Sequence, residues 1–535
     1  MKKFSLKKKT ALLVAGVLCA GTLLSGCDNG KEVETSGKII YPKDGVYPVE
    51  CEDTITLWRN LHSGLTTELS NFGETELAKE LEKQTGIKVE YIHPASGMAD
   101  EQFNLLVASD DIPDIVAYNW RDYDAQTAID EEIILPLNDV IDKWAPNFKN
   151  VLEQDAELAK MMQSADGNYY GFGFIRGDES LCTYNGPIIR KDWLDELGLA
   201  VPETIDEWEE MLVAFKEKKG ATAPFSLVNS GAFSKGGIIV GAFGILDDYY
   251  LEDGKVKYGA LEKGYKDFIT LMKKWCDMGL VDKNLAGSDR KILTNNVLNA
   301  KTGATYLEAG GGIGTWTKAK RGIGDNTFSL IGAPYPVLKK GDTPQFGQYD
   351  WAYVLGNDHA ITTSCKNVEL AARLLDYGYS EAGNRLYNYG IEGVTYNMVD
   401  GKIVFTDYVT KNPDGKSASN VLLRYVMSTY NGPLVQSEEV VNVTRAYEEQ
   451  NDAIRTWSQT NMKAHKLPYL DLTAQEAEEV ASINTDIATF KDEMFYGFIY
   501  GTESLDDYDV FVKRIKELGA ERAIEIYQNA IERLK

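Results

Sequence analysis

The sequence predicts an α/β protein of two lobes with a helical C-terminal portion, and three observations predict it. The chain has 535 residues, more than one ordinary domain of roughly 100–200 residues. Two stretches alternate strand-like and helix-like hydrophobic patterns, the sequence form of sheets covered by helices. From Val421 to the end, helical patterns dominate.

The elements follow in order. Thr54–Trp58 (TITLW) is a short β-rich run. Glu74 to Lys83 forms a helix with Leu77 and Leu81 one turn apart, and Gly86 stops it. Residues 87–92 alternate as a strand, Asp100 to Ser109 is helical, and residues 113–118 form a third strand. Strand, helix, strand, helix, strand is the pattern of a parallel sheet. A second such region starts with an extended run from Tyr184 to Ile189 and a helix, Lys191–Leu197, stopped by Gly198. Thr204 and Glu207 form a capping box, which opens a helix with Ile205, Trp208, Leu212 and Phe215 on one stripe. Residues 224–228 read as a strand, Val256 begins a short hairpin, and Gly264 to Met278 is a long helix. Gly303 to Leu307 is a strand leading into the glycine-rich run Gly310 to Gly314. Asp506–Leu518 and Glu521–Leu534 close the chain as helices. The sequence shows no internal repeat and no low-complexity tract.

With 56 Lys and Arg against 81 Asp and Glu, the formal net charge is −25. Such acidity excludes a nucleic-acid binder, whose affinity comes from cations neutralising phosphates. Charged residues at 26% and hydrophobic residues at 44% also exclude a disordered or fibrous chain. The N-terminus is the exception to the acidity. Lys2, Lys3, Lys7, Lys8 and Lys9 precede an apolar run, Ala11 to Leu24, followed by Ser25, Gly26 and Cys27. These are the parts of an export signal over residues 1–26, too short for the roughly 20 residues of a membrane span. Leu24-Ser25-Gly26-Cys27 looks like a bacterial lipobox, with Cys27 the lipidated first residue of the mature chain. Two acyl chains there suffice for stable anchoring. Losing five lysines and no acids takes the mature charge from −25 to −30. Residues 27–50, polar and rich in Gly and Pro, are expected to be a flexible tether.

Of the remaining cysteines, Cys51, Cys182, Cys276 and Cys365 are widely scattered, and four permit three pairings. Cys276 beside Trp275 reads as a buried free thiol within a helix. His62, His93, His359 and His465 lie far apart and there is no CxxC or HExxH, so no metal and no cofactor is expected. Gly415-Lys416-Ser417 has Thr410 where a phosphate loop needs its first glycine. No nucleophile elbow appears. The glycines near 310 make no complete dinucleotide fingerprint, and a close-packed turn or a backbone-lined pocket edge is the better reading.

The aromatic residues carry more. Tyr (30) outnumbers Phe (18), and there are 9 Trp. Rings with polar edges suit sugars, which offer C–H faces and hydroxyl rims. Open α/β sheets bind ligands at the C-terminal ends of their strands. Trp58, Trp120 after Asn119, and Trp316 after the glycine run stand at such ends; elsewhere a ring is more often core.

Segments spread over the mature chain carry a resemblance: ELEKQTGIKVEYIHP (80–94), QFNLLVASDDIPDI (102–115), YGFGFIRGDE (170–179), GPIIRKDWLDELG (186–198), VPETIDEW (201–208), DYGYSEAGNRLYNYGIEGVTY (376–396), TDIATFKDEMFYGFIYGTES (485–504) and residues 519–533. The chain resembles the extracellular solute-binding lipoproteins of bacterial ABC importers, family 1, in the carbohydrate-binding group often described as LplA-like. The resemblance implies a two-lobed, periplasmic-binding-protein-like fold of type II, with a ligand cleft between lobes that close by hinge motion. Lobe 1 is expected to hold residues 51–180 and about 330–385, and lobe 2 residues 181–329 and about 386–535. Some relatives carry a calcium loop after the helix corresponding to Thr204–Phe215. Here residues 216–223 (KEKKGATA) hold one carboxylate among three lysines, so no calcium is expected.

The reading is a non-enzymatic receptor, lipid-anchored on the outer face of a Gram-positive cell membrane. It is expected to act as a monomer, capturing a neutral oligosaccharide and delivering it to an ABC permease. Trp58, Trp120 and Trp316 are expected to stack on sugar rings. Arg59, Asn119, Arg176, Asp178 and Glu308 are expected to meet hydroxyls, with Trp351 and Tyr396 as further walls. Arg176 and Asp178 alternatively form a structural ion pair. Trp316→Ala is expected to cost at least about tenfold in affinity, or about 1.4 kcal/mol and upward, with little loss of stability. The rivals are a surface glycoside-active enzyme and a peptide receptor of the same fold.

Overall fold

The computed structural model describes residues 37–534 except 67, 110, 229–230, 355–357, 428–429 and 471. The expected signal and Cys27 lie outside the described residues.

The first lobe is built on a four-stranded sheet. Strands β1 (Thr54–Trp58), β2 (Lys88–Ile92) and β3 (Ile115–Tyr118) are mutually parallel around β1. The helix Glu76–Thr85 joins β1 to β2 and ends at Gly86, whose φ of 75° is the left-handed stop that glycine favours. Ala99–Val107 joins β2 to β3 and buries Phe103 against the sheet.

The chain then runs through short helices, including Trp120–Tyr123 and Ala156–Met161, to β4 (Phe174–Arg176), and crosses to the second lobe. There the strand β5 (Asn185–Arg190) leads to helices Lys191–Leu197 and Ile205–Lys219, the second opened by the Thr204/Glu207 capping box. The hairpin β6 (Tyr249–Glu252) and β7 (Lys255–Tyr258), helix Lys263–Asp277, helix Arg290–Leu298, strand β8 (Ala304–Glu308), helix Thr315–Gly322 and strand β9 (Leu330–Gly332) complete it. The β5 strand is central and antiparallel to both β8 and β9. The expected strand at 224–228 shrinks to one residue, Phe225, bridged in parallel to Ala304 and Val281.

Strand β10 (Asp358–Ile361) returns to the first sheet, antiparallel to β3. Helices Val368–Tyr377 and Glu381–Tyr389, the hairpin β11 (Tyr396–Val399) and β12 (Lys402–Phe405), and strand β13 (Leu434–Gln436) follow. Helices Glu448–Trp457, Met462–His465, Ala474–Tyr500, Tyr508–Glu517 and Ala520–Arg533 form the helical C-terminal portion, packed on the second lobe.

Long-range contacts surround the expected crossings. Ala333 N–H donates to Pro187 and Asp350 N–H to Cys182. The Leu77 N–H donates to the Arg424 carbonyl, and Arg424 pairs with Glu76 at 2.8 Å. These long-range contacts leave no local sequence signal. Within the expected tether, Val49 is buried and its N–H donates to Thr85 at 2.8 Å.

Candidate ligand-binding site

Three crossing segments run side by side between the lobes. The β13 strand pairs in parallel with β4, and Arg176 N–H donates to Ala352 at 2.7 Å. A side chain on Gly177 would start 2.6 Å from the Gln436 carbonyl, so only glycine admits this approach. Beside these segments a cavity of about 520 Å³ opens between the lobes. Small-ligand sites span about 300–1,000 Å³. The first lobe contributes Asp155 and Glu157, the crossings Arg176, Asp178, Asp350 and Trp351, and the second lobe Lys463 and Lys466.

Each polar group has a fixed role. Arg176 ends β4 with its guanidinium 5% exposed, donating to the Trp351 carbonyl at 2.5 Å and to Asp350 at 3.1 Å. Asp350 also accepts from the Tyr184 hydroxyl at 3.1 Å, and burial together with Asp350 holds that phenol above its usual range. Asp178 caps the 3-10 turn Glu179–Cys182 by accepting from the Ser180 N–H at 2.8 Å, and its hydrogen bonds to Ser180 hold its carboxyl below the usual range. The structural ion partner of Arg176 is therefore Asp350, not Asp178. Lys463 pairs with Glu179. Lys466 sits 3.8 Å over the Trp351 ring and donates to the Tyr349 carbonyl at 3.0 Å. Burial pulls its amine down to about 8, against the opposing pull of Asp350. The outcome is a set of oriented donors and acceptors beside two rings, Tyr349 and Trp351. Among the described residues no group of three His, Cys, Asp or Glu side chains is placed to hold a metal ion.

Of the ten ligand-contact residues expected from sequence, the structure brings Arg176, Asp178 and Trp351 to this cavity. The others lie elsewhere, for identifiable reasons. Trp58 packs against Phe103 at 6.2 Å, and Trp120 is wholly buried with its indole N–H on the Val116 carbonyl. Trp316 is wholly buried too, its indole N–H on Thr294. These three rings turn into the lobes' own cores and present no face for stacking, so Trp316→Ala would open a core. Arg59 is buried with its guanidinium 4.3 Å over Phe72. Asn119 caps the helix Trp120–Tyr123. Glu308 is engaged with Arg290 at 2.6 Å, and Tyr396 is buried against Tyr389. The glycine run forms a π-helical turn, Ala309–Gly314, that runs into the helix Thr315–Gly322, and it is close-packed at Gly312, where a side chain would start 2.7 Å from Ile188. Sequence reasoning missed Tyr349, Asp350 and Lys466. The cluster Tyr349-Asp350-Trp351 was the available signal, whereas Lys466 has none.

Residues 71–385 match the family model described as bacterial extracellular solute-binding protein. The chain is 25% identical over 564 residues to the fructooligosaccharide ABC transporter substrate-binding protein FusA of Streptococcus pneumoniae, covering 98% of each chain. It is 23% identical over 483 residues to the polygalacturonan/rhamnogalacturonan-binding protein YtcQ of Bacillus subtilis, covering 85% of this chain and 88% of that one. The solved structure of the S. pneumoniae FusA in complex with kestose aligns with a TM-score of 0.68 at 21% identity, over 90% of this chain and 99% of that one. Two lobes, three crossing segments, a cavity between them and a family match over more than half the sequence agree: the chain belongs to the bacterial extracellular solute-binding proteins.

Proposed function

We propose that this protein is the receptor of an ABC importer, capturing a neutral oligosaccharide in the interlobe cavity and delivering it to the permease. In this reading it is a monomer held by a lipid on Cys27 at the outer face of a Gram-positive cell membrane, and it binds without chemistry. The observation that carries the reading is the cavity itself, where Tyr349 and Trp351 stand beside the fixed polar groups of Arg176, Asp178 and Asp350. Rings bind the C–H faces of a sugar while oriented donors and acceptors take its hydroxyls. The names of FusA and YtcQ, both given for carbohydrates, support a carbohydrate ligand, and that of FusA a neutral one. Charge favours a neutral sugar over a uronate: Asp155, Glu157, Asp178, Glu179 and Asp350 outnumber Arg176, Lys463 and Lys466 around the cavity.

Titration calorimetry against fructo- and malto-oligosaccharides, oligogalacturonates and short peptides tests this directly. A neutral oligosaccharide should bind, and Trp351→Ala should weaken it about tenfold, or about 1.4 kcal/mol, with the melting temperature little changed. Binding of oligogalacturonates or peptides alone overturns the substrate class. Release of shortened products during long incubation overturns the non-enzymatic reading.

A further inference from the structure

The helix Met462–His465 packs on β6 in the second lobe, and the helix Ala474–Tyr500 packs there too. Between them, residues 466–470 leave that lobe and reach the first. Lys466 lies over Trp351 at the crossings. Three residues on, the Tyr469 ring is covered by the Arg121 guanidinium at 4.8 Å, and the Tyr469 N–H points at Glu157 at 3.4 Å. Arg121 belongs to the helix Trp120–Tyr123 and Glu157 to the helix Ala156–Met161, both parts of the first lobe. Pro468 lines the ligand cavity, and Tyr469 and Leu470 line a second cavity of about 220 Å³ with Arg121, Lys160 and Gln163. Glu157 and Lys160, one helical turn apart, line the first and the second cavity respectively.

We propose that residues 466–470 are an interlobe latch, in which Tyr469 clasps Arg121 and biases the lobes toward the arrangement in which that contact is made, the closer of those the hinge allows. The crossing segments join the lobes covalently and let them swing; a contact made away from that axis sets where the swing rests. Contacts present in one state and absent in the other shift the population between them, with or without ligand. The exposed Arg121 has its guanidinium on the Tyr469 ring, an attraction that a substitution at either end removes. The inference stands apart from the identity of the ligand.

The test is the interlobe distance of the ligand-free full chain. Spin labels on non-natural residues at positions 83 and 513, where the lysine side chains are 74% and 77% exposed, report one lobe each by electron–electron resonance. Tyr469→Ala and Arg121→Ala should each raise the ratio of long to short distances roughly two- to fivefold. The double variant should do no more than either alone, and Tyr469→Phe, which keeps the ring, should retain the wild-type distribution. If both alanine variants keep the wild-type distribution, or if Tyr469→Phe opens as far as Tyr469→Ala, the latch is refuted.

Discussion

Lys466 brings an ammonium group into the interlobe cavity, between the Trp351 ring and the Tyr349 carbonyl. Burial pulls its amine down to about 8, from the ordinary value of 10.5. Below pH 8 the lysine is protonated in both folded and unfolded chains, and the folded state bears the full cost of the desolvated charge. Between pH 8 and about 10.4 the unfolded chain holds more protons, so stability rises with pH. Above that range both forms are neutral and the cost is gone. The whole effect is at most about 3 kcal/mol. Urea unfolding at pH 7.5 and 9.5 reads it by comparing the wild type with Lys466→Met. From the lower to the higher pH the wild type should gain roughly 2 kcal/mol relative to the variant. Parallel behaviour of the two proteins would remove Lys466 from the account. Lys466 lines the interlobe cavity, which is why it belongs to the candidate site.

Local chemistry made many elements readable. The capping box at Thr204 and Glu207 and the left-handed stops at Gly86 and Gly198 are set by neighbouring residues, so sequence shows them. The strand expected at 224–228 is shorter than its pattern suggests, because the backbone partners of Pro224, Phe225 and Ser226 lie far along the chain, at 280–282 and 303–304, and the pairing does not extend beyond them. Arg176 reaches the candidate site from the end of β4, whereas Glu308, at the end of β8, pairs with Arg290 instead, so a polar residue at a strand end does not by itself mark the site. The site was illegible where an indole stood at a strand end, because neighbouring helices decide which way the ring turns. One long-range feature did leave a mark. In the helix Ala474–Tyr500, Lys491 falls four residues after Ile487 and four before Phe495, inside the apolar stripe. The structure buries it against Asp247 at 2.8 Å. Burial alone would lower its amine, but Asp247 together with Tyr258 and Asp248 outweighs it and holds the lysine above the usual range. Removing one partner strands a buried charge, so Lys491→Met or Asp247→Asn should each cost about 3–5 kcal/mol. Denaturant unfolding of both singles and the double measures it, and the double should fall well short of their sum. Two singles costing under about 1 kcal/mol would mean that the pair is solvated.

At the scale of the whole molecule, the segment before β1 decides how the body is carried. Residues 40–50 fold back on themselves through the Ile40–Glu50 bridge, and they meet the first lobe through the Val49 N–H on Thr85, the Tyr47 hydroxyl on the Arg373 carbonyl at 2.5 Å, and the Tyr47 ring against Tyr377 at 5.0 Å. The Val49 carbonyl lies 2.0 Å from where a side chain on Gly86 would begin, so that glycine both stops a helix and admits this strand of chain. With Cys27 as the proposed lipid-bearing residue, only residues 28–36 separate the lipid from the docked segment, a reach of roughly 35 Å at full extension. If docking is part of the fold, removing it exposes Val49 and the contact surface of Tyr47. Burying one such side chain is worth about 1.5–3 kcal/mol. A chain beginning at Asp53 should therefore be less stable than one beginning at Gly37 by about 2 kcal/mol or more in urea unfolding. Equal stability of the two chains would return residues 37–50 to the role of a loose tether and free the body to turn on it.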